Sequence, residues 1–280
     1  MQTGQPSRTA LAAAAMRAAH QILDGGRIFN DPIAHAVLGP EADAMINAVA
    51  ADPAQRQMSV FMAARSRFAE DSLDRAVSRG VRQVVILGAG LDTFSLRNPH
   101  AGLGLRVFEV DHPATQAWKR DRLGQANLAI PATLTFTPVD FTCQDLAREL
   151  AGAGFHSGQP AFFIWLGVVP YLKREAISSI LQFIAGSPGG EVVFDYSEPL
   201  EKYSVERRAN VAAVAARTAA MGEPWLSYFD PVMLAQDLRK HGFDELEDLG
   251  LGDIARYFGV PKQEGAAEAG PHIIRARRTG

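Results

Sequence analysis

The segment QVVILGAGLDTFSLR, from Gln83 to Arg97, restricts what this chain can fold into more than any other stretch. Val84 to Leu87 is a β-branched and leucine-rich run without polar alternation, the pattern of a parallel strand covered on both faces. Gly88, Ala89 and Gly90 follow directly. Small residues at a strand end let the backbone turn sharply and approach a ligand with no side chain in between. Asp92 and Thr93 then cap or open the next segment. A strand, a small-residue turn and a helix start present free backbone N–H groups at the carboxyl edge of a sheet, where open α/β folds bind ligands.

Three uses of such a loop compete. A dinucleotide fingerprint needs a further glycine three residues after the second, and that position holds Thr93, which argues against NAD. A methyltransferase using S-adenosylmethionine (SAM) binds no pyrophosphate and needs no such glycine. A turn with only a structural role is the third. The next strands favour a nucleoside. Leu105 to Asp111, LRVFEVD, reads as a second buried strand ending in acids, at the offset from the glycines where a carboxylate meets ribose hydroxyls. Glu109 and Asp111 share one strand face, so only one of them need reach the ligand. A third strand, Thr133 to Val139, ends in Asp140 and Phe141, a carboxylate suited to an adenine amino group beside an aromatic suited to its ring.

Five pieces stand in a telling order: AARSRFAEDSL (Ala63 to Leu73), LGAGLDTFSLR (Leu87 to Arg97), VFEVDHP (Val107 to Pro113) with Lys119 and Arg120 beyond it, PVDF (Pro138 to Phe141), and FFIWLGVVPYL (Phe162 to Leu172). Together, from about Arg17 to Tyr196, they resemble the leucine carboxyl methyltransferase-like family of SAM-dependent methyltransferases, including bacterial members that act on small metabolites. The resemblance implies a Rossmann-like α/β fold: a seven-stranded sheet, mostly parallel with an antiparallel C-terminal strand, a helical N-terminal cap and a helical lid. It also implies SAM as cofactor and S-adenosylhomocysteine (SAH) as product. The implied cofactor-binding residues are Arg67, Gly88, Ala89, Gly90, Asp92, Glu109, Asp111, Asp140, Phe141 and Leu166. The family's arginine for the SAM carboxylate maps onto Arg67 rather than Arg65, and a guanidinium fork suits a carboxylate through two parallel hydrogen bonds. One branch of the family has an acid where this chain has Leu166, and the contact with the methionine end is in question there.

Composition agrees. With 280 residues and 47% hydrophobic content, the chain can bury a large core as one elaborated domain. A net charge of -3 gives no basic excess for nucleic acid. The single cysteine, Cys143, excludes an internal disulfide and a zinc cluster and suits a reducing cytoplasm. No apolar run approaches membrane-spanning length, and the amino terminus lacks a signal-peptide core. The His, Asp and Glu residues show no metal-ligand spacing.

In chain order, Ser7 or Thr9 caps a helix to about Leu23, and Asn30, Asp31 and Pro32 open a second with Pro32 at its first position. Apolar spacing from Pro53 to Arg79 predicts a long amphipathic helix carrying both Arg65 and Arg67. His112 and Pro113 open a helix whose Trp118 and Leu123 face the sheet; His112 is read as ordering the turn at Asp111 rather than as catalytic. Ala161 to Trp165 and Glu191 to Tyr196 are the fourth and fifth strands, flanking a helix from Lys173 to Ile184. Ser197 to Asp230 is too long for a plain loop and reads as a helical insertion over the site. Glu245 to Leu249 and His272 to Arg277 complete the sheet after a helix stopped by Gly242.

The resulting expectation is one domain over residues 1–280, with a cap at 1–80, a SAM-binding core at 81–196, a lid at 197–230 and the end of the core at 231–280. The expected function is methyl transfer from SAM to an oxygen of a small molecule, foremost a carboxylate, with a hydroxyl or phenol as the alternative. No general base is visible, and Tyr171, Tyr203 and Tyr228 are the candidates for an acceptor pocket. An NAD-dependent reductase and a non-catalytic SAM-binding protein are the readings from other classes. The acceptor and the oligomeric state are not encoded in any motif.

Overall fold

The computed structural model describes residues 7–141, 144–259 and 269–280. Its strands are β1 (Gln83–Leu87), β2 (Arg106–Asp111), β3 (Leu134–Pro138), β4 (Phe162–Trp165), β5 (Glu191–Ser197), β6 (Glu245–Leu249) and β7 (Pro271–Arg277). They form one seven-stranded sheet in the order β3-β2-β1-β4-β5-β7-β6. β1 to β5 run parallel, and β7 is antiparallel to both β5 and β6. The order reverses between β1 and β4, which leaves a crevice outside their carboxyl ends.

The helices are α1 (Arg8–Leu23), α2 (Ala34–Leu38), α3 (Ala42–Ala51), α4 (Pro53–Ser78), α5 (Phe94–Arg97), α6 (Pro113–Gln125), α7 (Leu146–Gly152), α8 (Arg174–Gly186), α9 (Val205–Ala220), α10 (Pro231–Lys240) and α11 (Leu251–Tyr257). Strand alternation sorts the core into two layers. Val85, Leu87, Phe163 and Trp165 face α7, α8 and α10, while Val84, Ile86, Phe162 and Ile164 face α4. On α8 the buried stripe is Ile177, Ile180, Leu181 and Ile184, and each such side chain contributes about 1.5–3 kcal/mol on burial. α4 starts where Asp52 accepts the Ala54 N–H at 2.9 Å, with Pro53 at the first helical position. α1 starts where Ser7 Oγ accepts the Ala10 N–H at 3.1 Å, and packs on α2, α3 and α4. No helix among the described residues is long and apolar enough to cross a membrane.

One local expectation is corrected. α2 begins at Ala34 after a turn at 32–33, so Pro32 is not its first residue. The Asp31 carboxylate, which would cap that helix, is drawn inward to Arg17 and Thr93. Trp118 and Leu123 pack into a third cluster that joins α1, α2 and α3 to Phe136 of β3.

α6 also sends Lys119 toward the sheet. It is 1% exposed and donates to Glu109 Oε2 of β2 and to the Asp92 carbonyl, both at 2.6 Å. Ser95 Oγ donates to the other Glu109 oxygen at 2.6 Å. Burial pushes the Glu109 carboxyl pKa up, against the pull of Lys119 and Ser95. Lys119→Met, which strands that carboxylate, is expected to lower the unfolding free energy by about 3–5 kcal/mol in urea titration. Pairing it with Glu109→Leu should recover most of the loss; no recovery in the double variant would mean that the pair is not the source of the effect.

Candidate functional site

At the crevice the ends of β1 and β2 are tied together. The Val110 carbonyl accepts N–H groups from Gly88 at 2.8 Å and Ala89 at 3.1 Å. Asp111 Oδ2 accepts the Gly90 N–H at 2.5 Å, and Oδ1 accepts the His112 N–H at 2.7 Å. Gly88 and Gly90 have φ of 66° and 49°, the left-handed region that side chains avoid. A Cβ on Gly88 would collide with Val168, and one on Gly90 would lie 2.8 Å from Ala10 of α1. The loop is a cradle that only glycine allows. Burial pushes the Asp111 carboxyl up to about 6, although its two backbone donors oppose the shift.

A cavity of about 1650 Å³ opens on this loop. It is lined by Gly88, Ala89, Gly90, Asp92, Asp111 and His112, and by Asp140, Phe141 and Leu166 from the ends of β3 and β4. The structure thus brings together all but two of the residues expected at the cofactor. Glu109 does not face the cavity: it is committed to Lys119 and Ser95, and of the two acids on that strand Asp111 alone is among the lining residues.

Arg67 is the second correction. It stands half exposed on the outer face of α4, paired with Asp71 at 2.6 Å, and is not a lining residue. Arg65 lines the cavity instead. It is 6% exposed and donates from Nη1 to Asp195 Oδ2 of β5 at 2.7 Å. Asp195 Oδ1 accepts the Gly167 N–H at 2.5 Å, so arginine, acid and the turn after β4 form one unit. Helical periodicity distinguishes the two arginines: Arg65 follows Phe61 by four residues and precedes Phe68 by three, on the buried stripe, and Arg67 falls off it.

Beyond the loop the cavity runs past Tyr171 and Tyr203 to α4, α9 and α11. Burial raises the phenol pKa of both, that of Tyr203 to about 12. The Arg207 guanidinium lies over the Tyr203 ring at 6.0 Å. Tyr228 does not join them. It borders a separate depression of about 350 Å³ with Arg174 and Leu226.

Two histidines line the cavity, His112 and His272. His112 Nδ1 accepts the Ala114 N–H at 3.2 Å as the cap of α6, which leaves its ring proton on Nε2. His272, which the sequence did not single out, is bracketed by Asp248 at 3.0 Å and Glu198 at 3.2 Å and stacks on Tyr196. Burial alone would lower its pKa, but the bonds and charges of the two acids outweigh burial and raise it. The Thr93 that stands in place of a third glycine also has a role: its hydroxyl donates to Asp31 at 2.7 Å, and Arg17 bridges Asp31 to the Leu91 carbonyl at 2.6 Å.

Residues 10–185 match the family model described as leucine carboxyl methyltransferase. The chain is 35% identical to "Putative S-adenosyl-L-methionine-dependent methyltransferase YktD" of Bacillus subtilis (strain 168), covering 92% of this chain and 93% of that one. A Parafrankia protein of the same designation, Franean1_4929, is 32% identical over 73% of this chain and 67% of its own. The solved magnesium protoporphyrin IX methyltransferase ChlM of Synechocystis PCC 6803, with bound SAH, superposes with a TM-score of 0.49 at 14% identity, covering 81% of this chain and 87% of that one.

The two arginines of α4 separate in a stability measurement. Arg65→Met leaves the Asp195 carboxylate buried without its cation and is expected to cost about 3 kcal/mol in denaturant unfolding. Arg67→Met removes a solvated pair and should stay within about 0.5 kcal/mol of the parent. Equal losses would contradict the placement.

Proposed function

The chain belongs to the leucine carboxyl methyltransferase family and is a SAM-dependent methyltransferase, and from that premise we propose that it transfers the methyl group to the carboxylate oxygen of a small molecule, giving a methyl ester. SAM supplies, when bound, a methyl group already activated by its sulfonium. The residues fit the cofactor: a glycine cradle at Gly88 and Gly90, the Asp111 carboxylate for ribose hydroxyls, and Asp140 and Phe141 for adenine. Asp92 and Leu166 complete that wall. Arg65 takes the role that the family motif suggests for Arg67, holding the methionine carboxylate from α4.

The observation that carries the choice of acceptor is the state of the cavity's bases. A hydroxyl acceptor needs a group near neutral pKa to take its proton, and the one carboxyl raised to about 6, Asp111, is engaged with the ribose in this reading. His112 caps a helix through Nδ1, and His272 has both ring nitrogens against carboxylates. Tyr171 and Tyr203 keep their protons, because burial raises both pKa values. A carboxylate acceptor arrives ionised and requires only alignment and exclusion of water. The two protonated phenols then serve as donors to the acceptor's other oxygen. The net charge of -3 favours a small molecule over nucleic acid, and the lone cysteine fits work in the cytoplasm.

The test uses SAM with an isotopically labelled methyl group and a panel of carboxylic acids and phenols. Product label should be released as methanol by mild base, as from an ester; a base-stable product would replace the carboxylate with a hydroxyl acceptor. A second expectation concerns Asp111, whose carboxylate must be ionised to accept ribose hydroxyls. The free site takes up a proton as pH falls through about 6, so SAH affinity should be flat above that pH. Below it the Kd should rise, by at most about tenfold per pH unit. Asp111→Asn should bind about one to two decades more weakly near neutral pH and lose most of that pH dependence in calorimetric titration. A wild-type affinity indifferent to pH in this range would put the ribose elsewhere.

A further inference from the structure

The cavity is larger than one cofactor needs. Sites for drug-sized ligands run from about 300 to 1,000 Å³, so a cavity of about 1650 Å³ leaves roughly 650 Å³ or more beside SAM. That remainder has a definite chemistry. Met58 and Met62 of α4 face it one helical turn apart, Val211 and Val214 of α9 line it from the lid, and Leu251 and Phe258 close it at α11. All six are only partly buried, and apolar atoms make up the larger part of the cavity lining. The three helices meet around one space. Asp52, at the start of α4, has its pKa lowered chiefly by the Gln55 side chain and the Ala54 N–H, and Arg217 at the end of α9 lies near enough to add a small pull. Phe68 of α4 packs edge-on against Tyr257 of α11 at 5.5 Å, and a Cβ on Gly270 would touch both Leu251 and Arg207.

Side chains of this kind facing a common void favour an occupant that removes apolar surface from water. Methionine walls are soft and adapt to more than one shape. Resting on the reading that the acceptor is a carboxylate, we infer that the acceptor is a carboxylic acid with an extended apolar body, its acid group at Tyr171 and Tyr203 and its body between α4, α9 and α11. The lid supports this assignment. α9 buries only Thr218 of its own residues, so its cavity-facing valines gain cover when such a body is bound.

The experiment compares straight-chain monocarboxylic acids of graded length with short polar acids and with long-chain alcohols and alkylphenols, in the 280-residue protein with labelled SAM. Expected is a rise in kcat/KM of about two- to fourfold per methylene, up to a length set by the cavity, since each buried methylene is worth about 0.8 kcal/mol. Val214→Glu should remove most of that rise, with SAH binding measured as the check that the variant is folded. Methylation of short polar acids with no gain from chain length would overturn the apolar body while keeping the carboxylate. Methylation of long alcohols or phenols but not acids would overturn the carboxylate while keeping the apolar body.

Discussion

A carboxylate removed from water must be given donors, and the ends of β1 and β2 are arranged around that requirement at Asp111. Its two oxygens take the N–H groups of Gly90 and His112. That arrangement fixes the glycine turn on one side and the start of α6 on the other. The turn must then pass close to α1 and to Val168, which is why Gly88 and Gly90 tolerate no side chain. Even with both donors the carboxyl stays raised, so part of its demand is unmet. A ligand that supplies hydroxyl donors at this point gains more than it would from a solvated acid.

The same device recurs around the cavity. Asp31 is fully buried and holds Arg17, whose other end fixes the Leu91 carbonyl, and it also holds Thr93 beside it. Asp195 is buried between Arg65 and the Gly167 N–H. Each unit ties a helix of the outer layer to a turn at the sheet's carboxyl edge. Removing one partner leaves the other as an uncompensated buried charge, so the helical layer and the loops are energetically coupled. This explains how α1 and α4, which make no part of the sheet, set the geometry of the cavity wall at its carboxyl edge.

The core of the fold could be read from the sequence because its signals are local. A buried strand followed by a glycine turn, or by an acid, declares itself within a few residues, and β1, β2 and the turn between β1 and α5 fall where those signals put them. Local signals mislead where the deciding partner is distant in sequence. Glu109 and Asp111 share a strand face, and only Lys119 reaching in from α6 tells which acid is neutralised inside and which faces the cavity. Arg65 and Arg67 look alike in the motif, and the resemblance favoured the second; Asp195, on β5, is what draws the first inward. His272 carried no local mark, since its partners Asp248 and Glu198 come from two other segments. Tyr228 shares the 197–230 insertion with Tyr203, and position within that segment does not tell that it borders a different depression.

The two halves of the cavity differ in how firmly they are held, and this follows from what each half has to do. Around Gly88 to Asp92 every turn is bound by backbone or ionic contacts to β2, α1 or α6. Across the cavity, α9 runs from Val205 to Ala220 and buries a single residue, packing mainly on the short turn Leu200–Lys202 that leads into it. Few buried contacts mean a low free energy of local opening, so α9 can move without unfolding the sheet beneath it. A site whose chemistry needs water excluded at one step and ligands exchanged at the next requires that unequal distribution. One wall of the cavity is therefore held by many fixed contacts, and the loosely packed helix opposite it is free to adapt.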